Sequence, residues 1–250
     1  MIFPALAGDL SRFLLIGLWI VWAVCLFGGM ALGRLNAGQT HRSPTWGRMA
    51  SSLALVVAGF IWWINARGTG AEGFATWIVI GMTLGFVGDL FMARLISGRN
   101  YIIGGIGAFG LGHAAYIAAC LDFSAQLGGN VLTTHSGALI AWVIFGAAGW
   151  YFVVFKAQKP TALHWAALPY ALLLSATAGL ATGLALWNGV FVLMALGAAL
   201  FLLSDLLLAA QLFNNLHFKL IGDAVWALYG PGQMLIVYAI HGALLAAAVV

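Results

Sequence analysis

The chain has 250 residues, 64% hydrophobic and only 6% charged, with ten Lys and Arg against six Asp and Glu and a mean hydropathy of +1.05. Soluble domains carry about a quarter charged residues, so this composition excludes a water-soluble globular fold. The net charge of +4 fits a bias of basic residues to one membrane face and attraction to anionic lipid headgroups, and no nucleic-acid partner is expected.

In chain order, apolar runs fall at about 11–33, 48–66, 72–97, 101–122, 136–156, 162–186, 189–212 and 222–249. Each is near the 17 to 25 residues that a spanning helix needs. The expectation is an all-α polytopic membrane protein: one bundle of eight transmembrane helices forming a single membrane-embedded domain over 1–250. The amino terminus, MIFPALAGDLSRF, has no basic region before an apolar core, so the first helix is read as retained. Only two connections have any length, Arg34 to Gly47 and Asp122 to His135, and the second reads as a flexible loop rich in Gly, Ser and Thr. Alternate loops carry eight basic residues, Arg34, Arg42, Arg48, Arg94, Arg99, Lys156, Lys159 and Lys219, against Arg12 and Arg67 on the other set. The positive-inside bias then predicts both termini outside the cytoplasm, in a bacterial inner (plasma) membrane.

Two of the six acidic residues lie within apolar helices, Asp89 in GMTLGFVGDLFMARL and Asp205 in ALGAALFLLSDLLLAAQL. A charge in hydrocarbon costs roughly 3 kcal/mol or more, so such residues face a protein interior or a watery cavity. Both helices run inward, and counting back from their expected ends near Ser97 and Leu212 puts the two carboxyls at one depth, able to share a cavity. Gly81 and Gly85 precede Asp89 on its face, and Gly197 and Ala198 precede Asp205, which permits close helix contact. The plain alternative is two structural carboxyls bonded to neighbouring helices.

The fourth helix carries GAFGLGHAAYIAA, in which Phe109, His113 and Tyr116 share a face. The eighth carries WALYGPGQMLIVY, with Tyr229 and Gln233 one turn apart around Pro231, which is expected to kink the helix and expose carbonyls. Asp223 near the start of this helix is a further candidate, with a favourable position at the positive end of the helix dipole as its plain alternative. His41, His135 and His217 read as solvated loop residues, while His164 and His241 lie near helix ends. Trp62, Trp63, Trp77, Trp165 and Trp187 suit an interfacial aromatic belt. Cys25 and Cys120 sit in apolar helices as packing residues. No clustered Cys/His pattern, GxSxG elbow or Walker loop occurs, so no metal or organic cofactor is expected.

GFVGDLFMARL, GAFGLGHAAYIAA, LFLLSDLLLAAQLF and ALYGPGQMLI, in that order, resemble the YhhN family of eight-helix membrane proteins, which includes the TMEM86 lysoplasmalogenases. The likeness covers roughly residues 81 to 118 and 195 to 238, and differs from the usual pattern in the Gly-Pro-Gly around Pro231 and in Arg94 close after Asp89. The resemblance implies hydrolysis of the vinyl ether bond of lysoplasmalogens, with Asp89 and Asp205 catalytic and His113, Tyr116, Tyr229 and Gln233 lining the pocket. The partners implied are a lysophospholipid substrate and membrane lipids.

The residues suit that chemistry. Protonation of the alkene carbon remote from the ether oxygen creates an oxocarbenium ion; water adds, and the hemiacetal collapses to aldehyde and alcohol. Two carboxyls close together in low dielectric divide the roles, one protonated and one anionic. Which is which is not in the sequence, because coupled groups titrate as a pair. Two other readings stay open: hydrolysis of another lysolipid or ether, and proton-coupled transport or a channel. The order Asp89 then His113, Asp205 then Gln233, would make a parallel repeat of the kind transporters show. For a lysolipid, Arg94, Arg99 and Lys219 are expected to meet the phosphate on the cytoplasmic side.

Overall fold

A computed structural model describes residues 8–96, 100–156 and 159–248. Among these, regular structure is entirely helical, and eight helices are long and apolar enough to cross a membrane: α1 Asp9–Leu32, α2 Thr45–Ala66, α3 Glu72–Met92, α4 Tyr101–Gln126, α5 Ser136–Phe155, α6 Ala162–Trp187, α7 Gly189–Phe213 and α8 Ile221–Ala247. Two contain π-helical turns at corresponding places, Val24–Gly28 in α1 and Trp150–Phe155 in α5.

Two helix ends and the course of one helix differ from the sequence reading. Helix α3 stops at Met92, several residues before Ser97. Arg94 takes a left-handed φ of 58°, its N–H donates to Phe91 O at 2.9 Å, and Leu95 N–H donates to Leu90 O at 2.9 Å. This pair of bonds closes the carbonyl end of a helix around one left-handed residue. Asp89 therefore lies three residues from the helix end, and an equal count from the two ends does not explain why it meets Asp205. Helix α4 continues past Asp122 to Gln126, and Val131–Thr134 forms a short helix whose first turn is capped by Asn130 Oδ1 accepting from Leu132 N–H at 2.9 Å. The Asp122 to His135 connection is thus ordered by local caps. Helix α8 runs unbroken through Pro231.

In lipid, helices associate through close packing and polar contacts, with little hydrophobic drive. Here glycines bring two pairs together. A Cβ on Gly81 would stand 2.9 Å from Gly112 O and one on Gly112 3.0 Å from Gly81 O, so α3 and α4 touch backbone to backbone. The α7–α8 pair repeats this, with 2.7 Å from Gly197 to Gly232 O and 2.9 Å from Gly232 to Gly197 O. The Gly-Pro-Gly segment is therefore a crossing point; Pro231 sits between two glycines that let Leu26 and α7 approach.

These two pairs have the most extensive helix contacts, and the halves interlock through α4 on α6 and α8 on α2. The order of contacts in α1–α4 recurs in α5–α8. Trp62 is fully buried among the rings of Tyr238 and His241, so it belongs to the core instead of the belt; Trp77 and Trp165 are exposed as a belt requires.

Candidate active site

Asp89 projects from the last turn of α3 and is 3% exposed. Its Oδ2 accepts the Ser52 hydroxyl from α2 and the Tyr229 hydroxyl from α8, the latter at 3.0 Å. Tyr229 in turn accepts from Gln233 Nε2 at 3.3 Å, and Gln233 Oε1 accepts from the Tyr116 hydroxyl at 2.8 Å. Every donor in this chain points toward the carboxyl. Glycine makes it possible: a Cβ on Gly85 would lie 2.7 Å from Gln233 Nε2, and one on Gly81 would overlap the Tyr116 ring.

Asp205 is half-buried on α7, and its Oδ2 accepts the Tyr170 hydroxyl from α6. Both aspartates line one cavity of about 210 Å³, together with Thr40, His41, Arg48, Gln211, Trp226 and Tyr229. Its mouth is thus made by the loop before α2 and the first turns of α2 and α8, the end of the bundle that bears most of the basic loops. A second space of about 100 Å³ begins at Asp205 and Phe109, which line both, and runs between α4, α5, α6 and α7 past Ile106, Trp150, Leu174, Leu206 and Phe213. Apart from Asp205, Tyr170 and Ser175 this groove is apolar. The chamber holding the two acids therefore adjoins a hydrocarbon slot, with Asp205, Phe109, Met92 and Leu208 in both walls.

Of the residues singled out in the sequence, Asp89, Tyr229, Gln233 and Tyr116 form one hydrogen-bonded chain, and Asp205 shares the cavity with its Asp89 end. His113 stands apart. Its Nδ1 lies 3.0 Å from the Thr177 hydroxyl, its ring packs edge-on against Phe201 at 4.5 Å, and it lines neither space. Thr177 Oγ1 donates to Leu173 O at 2.9 Å, which leaves its lone pair for an Nδ1–H. Asp223 lines neither space, and its oxygens anchor the loop before α2. Its Oδ1 accepts from Ser43 N–H at 3.1 Å and Ser43 Oγ at 2.6 Å, and its Oδ2 accepts from Arg42 N–H at 2.6 Å. This fastens the loop before α2 across the mouth.

The cations differ from expectation too. Arg94 donates to the Tyr101 hydroxyl at 2.8 Å and lies over its ring, Lys219 is exposed and lines neither space, and Arg99 falls outside the described residues. The cation that lines the cavity is Arg48, with His41 beside it. His41 is half-buried rather than solvated, and burial, then the nearby Arg48 charge, holds its pKa below the ordinary histidine value. Ser52, Tyr170 and Arg48 carried no motif; only a hydroxyl or cation on the helix preceding each aspartate helix hinted at them.

Eight apolar helices closed around two carboxylates in a shared chamber define an integral membrane protein with an acidic site inside the bundle. The YhhN family model matches residues 46–240, and the chain belongs to the YhhN family. The matched segment takes in both aspartates and the whole hydrogen-bonded chain. Neither the curated proteins nor the solved structures gave a match.

Proposed function

We propose that this protein is an intramembrane hydrolase that cleaves the vinyl ether bond of lysoplasmalogen-type lysolipids to a fatty aldehyde and a glycerophospho-alcohol. The observation that carries this reading is the union of two carboxyls in a polar chamber with an apolar groove that starts at one of them. A single-chain amphiphile fits that shape, its chain in the groove and its glycerol end in the chamber.

The hydrogen bonding divides the roles. Asp89 accepts two hydroxyls on one oxygen, an arrangement that suits an anion. Asp205 accepts one and borders the groove, so it is the acid placed beside an alkenyl chain. Asp205 gives its proton to the alkene carbon remote from the ether oxygen, leaving an oxocarbenium ion. Asp89 stabilises that cation and takes a proton from the water that attacks it. The hemiacetal then breaks its C–O bond, the glycerol oxygen leaves protonated, and the carboxyls return to their starting states with one water consumed. No step draws on a cofactor.

Aldehyde release from purified protein, measured across lysolipids with vinyl ether, alkyl ether and ester linkages, tests the reading; release from the vinyl ether alone is expected. Fatty acid released from the ester, measured in parallel, would instead favour the hydrolase of another lysolipid. Proton-coupled transport has a specific observation in its favour, the parallel arrangement of α1–α4 and α5–α8; uptake into vesicles without product would select it. The loop charges support a chamber mouth on the cytoplasmic side and both termini outside. A reporter read as internal after residue 248 and external in the loop before α2 would reverse that orientation.

A further inference from the structure

We infer that Arg48 is the residue that reads the substrate's headgroup, binding a phosphate ester at the chamber mouth; this rests on the chamber being a lysolipid site. Arg48 lies in the first turn of α2 and is half-buried. Its guanidinium lies over the Trp226 ring at 5.6 Å and donates through Nη2 to the Thr45 hydroxyl at 3.3 Å. The Nε is buried and has no hydrogen-bond partner. Among the described residues no carboxylate stands within ion-pairing distance of it. Asp223, the acid nearest in the chain fold to this loop, has both oxygens occupied by Arg42 and Ser43, and Asp89 Oδ2 is taken by two hydroxyls.

Asp223 and Asp89 act on this guanidinium across space without forming an ion pair with it, so the cost of desolvating the cation is offset only in part and its N–H groups remain for a ligand. Trp226 fixes the plane of the fork but satisfies none of its donors. A planar fork with free N–H groups matches two oxygens of a phosphate. Thr40 and His41 lie on the same wall, the Thr40 hydroxyl accepting from Asn36 Nδ2 at 2.9 Å and lying 3.1 Å from His41 Nδ1, and burial holds the His41 pKa below its ordinary value, which leaves Arg48 as the cation of that wall. The position is also right: Arg48 lines the chamber with Asp89 and Asp205 while the apolar groove leaves from Asp205. A phosphate at Arg48 would therefore be at the opposite end of the bound molecule from the hydrocarbon chain, with the linkage between them over the acids.

The test is equilibrium binding to the purified full-length protein in detergent, with a radiolabelled saturated alkyl-ether lysophosphatidylcholine and the matching alkylglycerol, which lacks the phosphate. Neither probe carries a vinyl ether, so the result does not depend on hydrolysis. Wild type should prefer the phosphate-bearing lipid, and Arg48→Gln should shrink the ratio of the two affinities about 10-fold to 100-fold, the range of a lost charge-assisted hydrogen bond. Arg48→Lys should recover part of it, since it restores charge without the fork, and Trp226→Phe should shrink it less. These two also serve if Arg48→Gln fails to fold. Saturable binding of inorganic phosphate alone, lost in Arg48→Gln, with no gain from the alkyl chain would support the phosphate site and assign it to the free ion. An unchanged affinity ratio in folded variants would overturn the inference. If aldehyde is still released from vinyl ether lipid in that case, the hydrolase reading survives; the preferred ratio without any aldehyde would sink that reading alone.

Discussion

The two halves of the bundle are one scaffold dressed in two ways. Gly81 precedes Asp89 by eight residues and meets Gly112, whose next residue is His113; Gly197 precedes Asp205 by eight and meets Gly232, whose next residue is Gln233. Each aspartate accepts a hydroxyl from the preceding helix, Ser52 for Asp89 and Tyr170 for Asp205. The segments Phe109-Gly-Leu-Gly-His113 and Tyr229-Gly-Pro-Gly-Gln233 stand in matching places. At those places the halves part. Tyr229 gives Asp89 a second hydroxyl, while Phe109, in its position in the other half, has none to give and instead walls both spaces beside Asp205. Gly85 leaves room for Gln233, but its counterpart Phe201 fills the space against His113.

A further difference concerns the π-helical turns. In the first half Leu26 fills the gap between α1 and α8 at Gly230. In the second half the gap between α5 and α4 is the open groove between Trp150, Val154 and Ile106. A repeated backbone thus brings two carboxyls into one chamber, and small differences at matched positions leave one accepting two hydroxyls and the other accepting one beside an apolar groove.

If the halves act as one chemical unit, Asp89→Asn and Asp205→Asn will each cut turnover by about 100-fold to 10,000-fold while the protein remains folded. The double variant should be little worse than either single one. Loss that merely follows thermal stability would break the comparison, reducing both to structural carboxyls. Next, Tyr229→Phe makes the first half resemble the second, and its effect should be about 10-fold to 100-fold on turnover, as expected for a bond to a charged acceptor. Tyr116→Phe, two bonds further along the chain, should cost less than Tyr229→Phe in the same assay.

The groove offers the opposite conversion. Ala171→Leu, on the groove wall, should plug the second half as Leu26 plugs the first. It is expected to raise KM several-fold for long-chain substrate and leave a short-chain analogue much less affected; equal effects on both would deny the groove to the chain. The smallest effect expected is on pH dependence. The His41 pKa is lowered in the folded state, so below its unfolded value near 6.5 the unfolded chain binds the proton more readily. Stability present at neutral pH should therefore be lost progressively as pH falls below that unfolded value. Melting curves of His41→Gln should lack that component of the acid sensitivity.

Composition and hydropathy alone determined that this is a bundle of eight apolar helices, since length and exclusion of charge leave lipid as the only comfortable solvent for such runs. They also singled out Asp89 and Asp205, because a carboxyl amid Leu, Phe and Gly is conspicuous in one dimension. Gly81 and Gly197 were readable as contact points for the same reason, spaced along a single helix face. Tertiary structure decided who speaks to those acids. Ser52 and Tyr170 reach them from other helices, and hydroxyls in apolar segments are too common for sequence to flag. Asp223 was legible as an acid at a helix start, but its bonds to Arg42 and Ser43, some 180 positions away, came only with the fold. Arg48 was legible only as a loop charge, since a count of loop cations does not tell which one turns inward. Hydropathy is a property of each residue's own neighbours along the chain, whereas partnership depends on which helix packs against which, and that is settled only when the bundle closes.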